Sequence, residues 1–235
     1  MADDGLWNSY FASKGVSEYD EKYWKFMSKH ASIGENNIVL EAGCGSGRTL
    51  LNFKRSYVVG IDISAEALNL ASKNLKGTDN AIIKADIRKL PFKTNVFDLV
   101  YNSGVLEHFK KPEDLQAISE MVRVTKKGCR VIVIVPNTLC LWYTAGKHIA
   151  RLLGKWRFGY ESSYTIWGLR DLFEKAGLKV ELTWGLQLFP PSHDGFRRIY
   201  PQIFSKIFSW IEKKLGRLNK YFAYAVVSVG RNNQI

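Results

Sequence analysis

The chain has 235 residues, with 34 Lys and Arg against 22 Asp and Glu for a net charge of +12, and 46% of it is hydrophobic. That length suits one α/β domain, or one domain with an inserted cap, better than two independent domains. The longest purely apolar run, residues 131 to 135, is far too short to span a bilayer. Met1-Ala2-Asp3-Asp4 is acidic with no apolar segment behind it, so a soluble protein without a signal peptide is expected.

Residues 1 to 30 interleave Trp7, Tyr10, Phe11, Tyr19, Tyr23, Trp24 and Phe26 with charges, and Ser17-Glu18-Tyr19-Asp20 ahead of further apolar residues suggests an amphipathic helix. Ile38-Val39-Leu40-Glu41 is a buried strand ending on a carboxylate. Gly43-Cys44-Gly45-Ser46-Gly47 follows as a tight turn, and Arg48-Thr49-Leu50-Leu51 as a helix start. Lacking a Cβ, these glycines can take positive φ and let a ligand lie against the backbone, with free N–H groups pointing outward. The bland alternative is a strand-to-helix turn that binds nothing. A dinucleotide fingerprint needs its third glycine at the position of Arg48, which weakens an NAD reading.

Ser56 to Asp62 is a second apolar run ending in an acid. Asp62 lies 19 positions beyond Gly43, near the offset at which nucleotide folds place a carboxylate on the ribose hydroxyls. Ser64 is the expected N-cap of the helix that follows. A third run, Ala81 to Asp86, again ends in an acid, followed by Ile87. Phe97 to Tyr101 is the fourth strand, running into Asn102-Ser103-Gly104-Val105-Leu106-Glu107-His108. A helix over Pro112 to Val124 and a fifth strand over Arg130 to Val135 complete this part.

Glu41-x-Gly43-x-Gly45-x-Gly47, with Asp62 and Asp86 at the next two strand ends, resembles the opening motifs of the class I S-adenosylmethionine-dependent methyltransferases. The stretch through Leu106-Glu107-His108 is similar to the fourth motif of the small-molecule branch (methyltransferase type 11-like), including its quinone and sterol enzymes. The resemblance covers residues 36 to 136 and implies a Rossmann-like, doubly wound α/β fold. Its sheet would be mostly parallel and seven-stranded, with an antiparallel last strand and helical cap insertions. It implies S-adenosyl-L-methionine as cofactor, held by Glu41, Gly43, Gly45, Gly47, Asp62 on the ribose, Asp86 on the adenine amino group, Ile63 and Ile87 beside the ring, and Asn102 at the methionine end. Tyr10 or Phe11 could then face the sulfonium, although ordinary core packing is the favoured reading. His108 is the candidate catalytic base, with Glu107, Tyr143 and His193 behind it; an orienting role for Glu107 and His108 is the alternative.

The chain divides by this reading into a single methyltransferase domain: an N-terminal helical lid (1–35), a cofactor-binding core (36–136) and cap insertions at 137–164 and 185–221. A helix over Thr165 to Ala176 stopped by Gly177, a sixth strand over Leu178 to Trp184 and a last strand over Phe222 to Gly230 fill the rest. Residues 137 to 164 alternate aromatic and basic side chains, and Ile203, Phe204, Ile207, Phe208, Ile211 and Leu215 fall on one face of a helix, favoured as a face packed on the protein's own sheet. Residues 140 to 235 hold fifteen Lys and Arg against six Asp and Glu, so the excess charge belongs to the caps.

This composition suits a small acceptor, lipophilic or anionic, methylated on O, N or C; Tyr143 and His193 are its candidate contacts. It also suits a membrane surface. RNA or protein methylation, and a non-catalytic cofactor-binding subunit, are the alternatives. Base methylation is disfavoured because the fourth strand lacks the Asn/Asp-Pro-Pro-aromatic signature and Pro136 precedes Asn137 rather than cysteine. Cys44, Cys129 and Cys140 are odd in number and lack metal-type spacing, which points to a reducing, cytoplasmic setting without disulfides or metal.

Overall fold

The computed structural model describes residues 4–14, 21–186, 210, 214 and 219–233. A seven-stranded sheet runs through its centre in the order β3-β2-β1-β4-β5-β7-β6, formed by β1 (Ile38–Ala42), β2 (Tyr57–Asp62), β3 (Asn80–Lys84), β4 (Phe97–Ser103), β5 (Thr125–Pro136), β6 (Leu178–Leu186) and β7 (Ala225–Asn232). The first five strands pair in parallel, and β7 is antiparallel to both β5 and β6. The fold is therefore the mostly parallel α/β sheet with a reversed last strand that the sequence implied.

Period-two alternation divides the core. Leu40, Val100, Val131 and Val133 face one layer, with α4 (Glu113–Val124) and α6 (Ile166–Lys175) supplying Ile118, Met121, Leu169 and Phe173. Val39, Leu99, Ile132 and Ile134 face the other, where α2 (Glu21–His30) and α3 (Ala65–Asn74) contribute Met27 and Ala71. Each of these side chains larger than alanine contributes about 1.5–3 kcal/mol by leaving water. The central strands are covered on both faces, so chemistry is displaced to the strand ends.

Three features differ from expectation. The helix expected after Gly47 is only a 3₁₀ turn, Leu50–Asn52, closed by the Phe53 N–H on Leu50 O. Nine residues separate Gly47 from β2, and a 3₁₀ turn's rise of about 2.0 Å per residue covers the return path better than an α-helix's. The fifth strand extends back to Thr125, with a register shift opposite Phe97 and Leu99. The last strand starts at Ala225 because Asn219–Phe222 form a helical turn, α7, pinned where the Asn137 side-chain amide donates to Tyr221 O and Ala223 O.

The N-terminal segment also divides. α1 (Asp4–Lys14) lies at the carboxyl ends of the strands, where Asn8 Oδ1 accepts from the Ser64 hydroxyl at 2.7 Å. α2 instead packs on the sheet, and its last carbonyl, on His30, accepts from Arg130. Among the described residues no helix is long and apolar enough to cross a membrane.

Candidate active site

β1 delivers the glycine turn to the middle of the sheet edge. Gly43, Gly45 and Gly47 all have positive φ (86°, 49° and 71°). Close approach opposes a side chain at all three as well, most severely at Gly43, and a Cβ on Gly47 would lie 3.0 Å from Ala71 Cβ. A Cβ on Gly43 would lie 2.3 Å from Val105 Cγ2, and one on Gly45 would meet the Phe11 ring at 3.0 Å. Cys44 turns its side chain inward among the strands, leaving glycine backbone on the outer side.

Four of the turn's five N–H groups point inward rather than outward as expected. Those of Gly43 and Cys44 donate to Ile61 O, that of Gly45 to Asp62 Oδ2 and that of Gly47 to Cys44 O, at 2.8–2.9 Å. A turn whose donors are satisfied from within makes a poor anion cradle. It suits a ligand without a pyrophosphate, held by van der Waals contact and neighbouring negative charge. On that test these residues fit S-adenosylmethionine better than a dinucleotide.

The acids behave differently from one another. Asp62, at the end of β2, accepts from Gly45 N–H and Ser64 N–H at 2.9 Å each, and burial raises its pKa despite those bonds. Each oxygen keeps a further lone pair, so ribose hydroxyls can still be accepted. Ser64 caps α3 as expected, accepting from Ala67 N–H. Glu41 is sealed beneath the turn, with Thr49 Oγ1 2.6 Å away and the Tyr101 hydroxyl 3.2 Å beyond that. Burial pushes its pKa up to about 8 against those two hydrogen bonds. Glu41 therefore braces the turn from below.

Asp86 has a partner that the sequence reading did not foresee. Arg88 binds both its oxygens, with Nη2 at 2.6 Å from Oδ2, and bridges to Glu113. Partial burial pushes the Asp86 carboxyl up, but the Arg88 hydrogen bonds and charge outweigh it and hold the pKa below the usual range. An adenine amino group there would share the carboxylate with a guanidinium. Ile87 sits in the main core, while Ile63 is half-buried beside Asp62. Asn102, expected to reach the ligand, has no exposed surface: its amide donates to Ala42 O and its Oδ1 accepts from Leu106 N–H at 3.3 Å. It ties β4 to β1 behind the turn.

On the acceptor side, the 3₁₀ turn Leu106–His108 carries Glu107 and His108 toward α5 (Leu141–Leu152). His108 Nδ1 lies 2.8 Å from Tyr160 O, and its ring meets Trp7 of α1 edge-on at 4.7 Å between centroids. Burial lowers its pKa, outweighing the Tyr160 carbonyl and Glu161. Trp7, Tyr10, Phe11, Phe158 and Trp156 continue in ring contacts from there.

Beneath His108 lies a buried polar group. The Tyr143 hydroxyl donates to Glu161 Oε1 at 2.8 Å, and Lys147 Nζ reaches the same oxygen at 3.1 Å and Ser163 Oγ at 3.0 Å. Burial drives the Tyr143 pKa far above that of free tyrosine. Glu107 is buried alongside, and burial pushes its pKa up to about 8. Its Oε2 has no hydrogen-bond partner among the described residues.

Tyr143 and His108 thus lie in one neighbourhood, whereas His193 and nearly all of 187–218 fall outside the described residues. Glu161, Lys147 and Trp7 were not singled out from sequence as site residues. The one available signal was that Glu161 is the sole acid between residues 137 and 164.

A family model described as a methyltransferase domain matches residues 40–133. A putative methyltransferase of Encephalitozoon cuniculi is 32% identical over 165 residues, covering 68% of this chain and 71% of that protein. A demethylmenaquinone methyltransferase of Shouchella clausii is 26% identical over 190 residues, covering 70% and 80%. Other curated relatives match over 31–47% of their own length, so the chain spans less than half of those proteins. A putative methyltransferase solved in complex with the Haloferax volcanii Trm112 methyltransferase activator superposes with a TM-score of 0.68 at 17% identity, covering 91% of this chain and 90% of that one, a likeness of fold.

Proposed function

The chain belongs to the S-adenosylmethionine-dependent methyltransferase family, and from that membership we propose that it methylates a small acceptor at the carboxyl edge of its sheet. The observation that carries this reading is the convergence of a glycine turn with inward-satisfied N–H groups, the Asp62 carboxylate and the His108–Glu107 turn on one sheet edge. When bound, the cofactor supplies an activated methyl group.

The residues then divide the work. Gly43 and Gly45 allow close approach, and Asp62 accepts the ribose hydroxyls while anchoring Gly45 and Ser64. Trp7, Tyr10 and Phe11 on α1 exclude water from above, which strengthens every polar contact below. With Nδ1–H donated to Tyr160 O, His108 keeps Nε2 unprotonated, and its lowered pKa holds it ready to take a proton from a hydroxyl or amine acceptor. Positioning supplies most of the rate, and the base matters where the acceptor must lose a proton.

The acceptor is small, lipophilic or anionic, and is bounded by Tyr143 on α5. The quinone-methylating relative with 80% coverage supports this size class over a macromolecule. The basic cap region keeps RNA or protein as the rival acceptor, recognisable by salt-sensitive binding.

Calorimetric titration with S-adenosylhomocysteine tests the cofactor site. Wild type binds, and Asp62→Ala binds at least about tenfold more weakly through loss of charge-assisted hydrogen bonds. Equal affinity would remove the ribose assignment, and no binding to wild type would remove the function.

A further inference from the structure

Cap helix α5 is arranged inside out. Tyr143 and Lys147, one turn apart, face inward to Glu161, so the polar and charged side of the helix is the buried one. The opposite side is open to water and apolar apart from His148: Leu141 is 74% exposed, Ile149 57%, Leu152 87% and Leu153, just past the helix, 62%. Leu141, Ala145, Ile149 and Leu152 follow the spacing of a single helical face. Helices of globular proteins bury such a stripe.

The stripe is not isolated. The chain turns back at the helix end, where the Lys155 and Trp156 N–H groups donate to Ala150 O, and this brings exposed Arg151, Lys155 and Arg157 beside Leu152 and Leu153. Among the described residues ten large hydrophobic side chains are exposed, and all but Tyr57 fall between residues 141 and 222. They include Trp167, stacked on Tyr221 at 5.6 Å, and Trp184, under the Lys220 ammonium at 5.4 Å. The same stretch, 141 to 222, carries fourteen basic residues against six acidic ones. Apolar side chains that insert, with basic side chains beside them, are the chemistry of an interfacial surface.

We propose that the outward face of α5, Leu141, Ile149, Leu152 and Leu153 with Arg151, Lys155 and Arg157 beside it, docks on an anionic lipid bilayer. A second copy of the chain would set this basic cluster against itself across a two-fold axis. A nucleic acid would take the charges but leave four aliphatic side chains in water. A bilayer with acidic headgroups satisfies both. Because the inward side of the same helix carries Tyr143 and Lys147, docking places the acceptor side of the site at the membrane. The proposal concerns a surface and does not depend on which acceptor is methylated.

Flotation of the full chain with phosphatidylcholine vesicles doped with phosphatidylglycerol tests it. Wild type floats with doped vesicles, less with pure phosphatidylcholine and less at high salt. Ile149→Glu with Leu152→Glu lowers the bound fraction about tenfold or more while leaving S-adenosylhomocysteine affinity unchanged. Lys155→Glu with Arg157→Glu gives a second, charge-only loss that requires no change in the apolar face. The proposal is overturned if wild type ignores every vesicle, or if the apolar pair floats as wild type does. It is equally overturned if wild type ignores vesicles and the apolar pair either dissociates a dimer by light scattering or lowers the melting temperature sharply; the face would then belong to a second copy or to residues 187–218.

Discussion

Replacing Lys147 by methionine removes the only ammonium within reach of Glu161 among the described residues, in a place where neither side chain can turn to water: they are 6% and 4% exposed. Lys147 Nζ also contacts Ser163 Oγ and Glu161 O, so three acceptors lose a donor at once. What remains to Glu161 Oε1 is the Tyr143 hydroxyl, with Glu107 buried nearby as a further acid. Breaking a buried pair from one side costs about 3–5 kcal/mol, a third or more of the stability of a marginal domain. Glu161→Leu, which strands the ammonium, should cost about the same. The double variant Lys147→Met/Glu161→Leu leaves no unpaired charge and loses only the hydroxyl partners, so it should cost no more than either single change. The expected coupling is then about 3 kcal/mol. Urea unfolding followed by tryptophan fluorescence and circular dichroism measures all four proteins. Single changes that each cost under about 1 kcal/mol and add in the double variant would refute a buried, mutually dependent pair.

Glu107 makes stability depend on pH in a known direction. Folded Glu107 keeps its proton up to about pH 8, whereas the unfolded chain releases it near the ordinary value of 4.5. The native state thus binds more protons between these limits, and stability falls as pH rises through them. In melting curves at successive pH values Glu107→Gln should flatten this fall and melt higher than wild type near pH 8; an unchanged slope would contradict the burial of Glu107. His108 should set the acid limb of kcat/KM below pH 6.5, because burial lowers its pKa. Trp7→Ala, which opens one side of the ring, should move that limb toward 6.5 without abolishing turnover, and His108→Gln should remove it. Gly43→Ala combines a left-handed φ of 86° with a 2.3 Å contact to Val105, for about 2–5 kcal/mol and loss of S-adenosylhomocysteine binding. Adding Val105→Ala relieves the contact but not the dihedral, so recovery in a thermal melt should be partial; full recovery would show that only crowding mattered.

The sheet was legible because its signals are local. Ile38-Val39-Leu40 and Leu99-Val100-Tyr101 alternate between the two core layers, Ser64 caps the helix it precedes, and an acid closing β2 has no choice but to sit at the strand's carboxyl end. Dihedral preference, period-two alternation and a hydrogen bond to the third residue on are each settled within a few positions. Other features needed the third dimension. The glycine turn spends its N–H groups on Ile61 and Asp62, and Glu41 faces Thr49 beneath the turn. Arg88 claims Asp86, and Trp7 meets His108 across a hundred residues of chain. α5 turns its lysine inward and its leucines outward, against the rule that composition alone would suggest. Which acid stays charged, and which face of a helix meets water, depend on the partners and burial supplied by distant segments. Sequence therefore determined where the strand ends and their carboxylates lie, and packing decided which of those groups can meet a ligand.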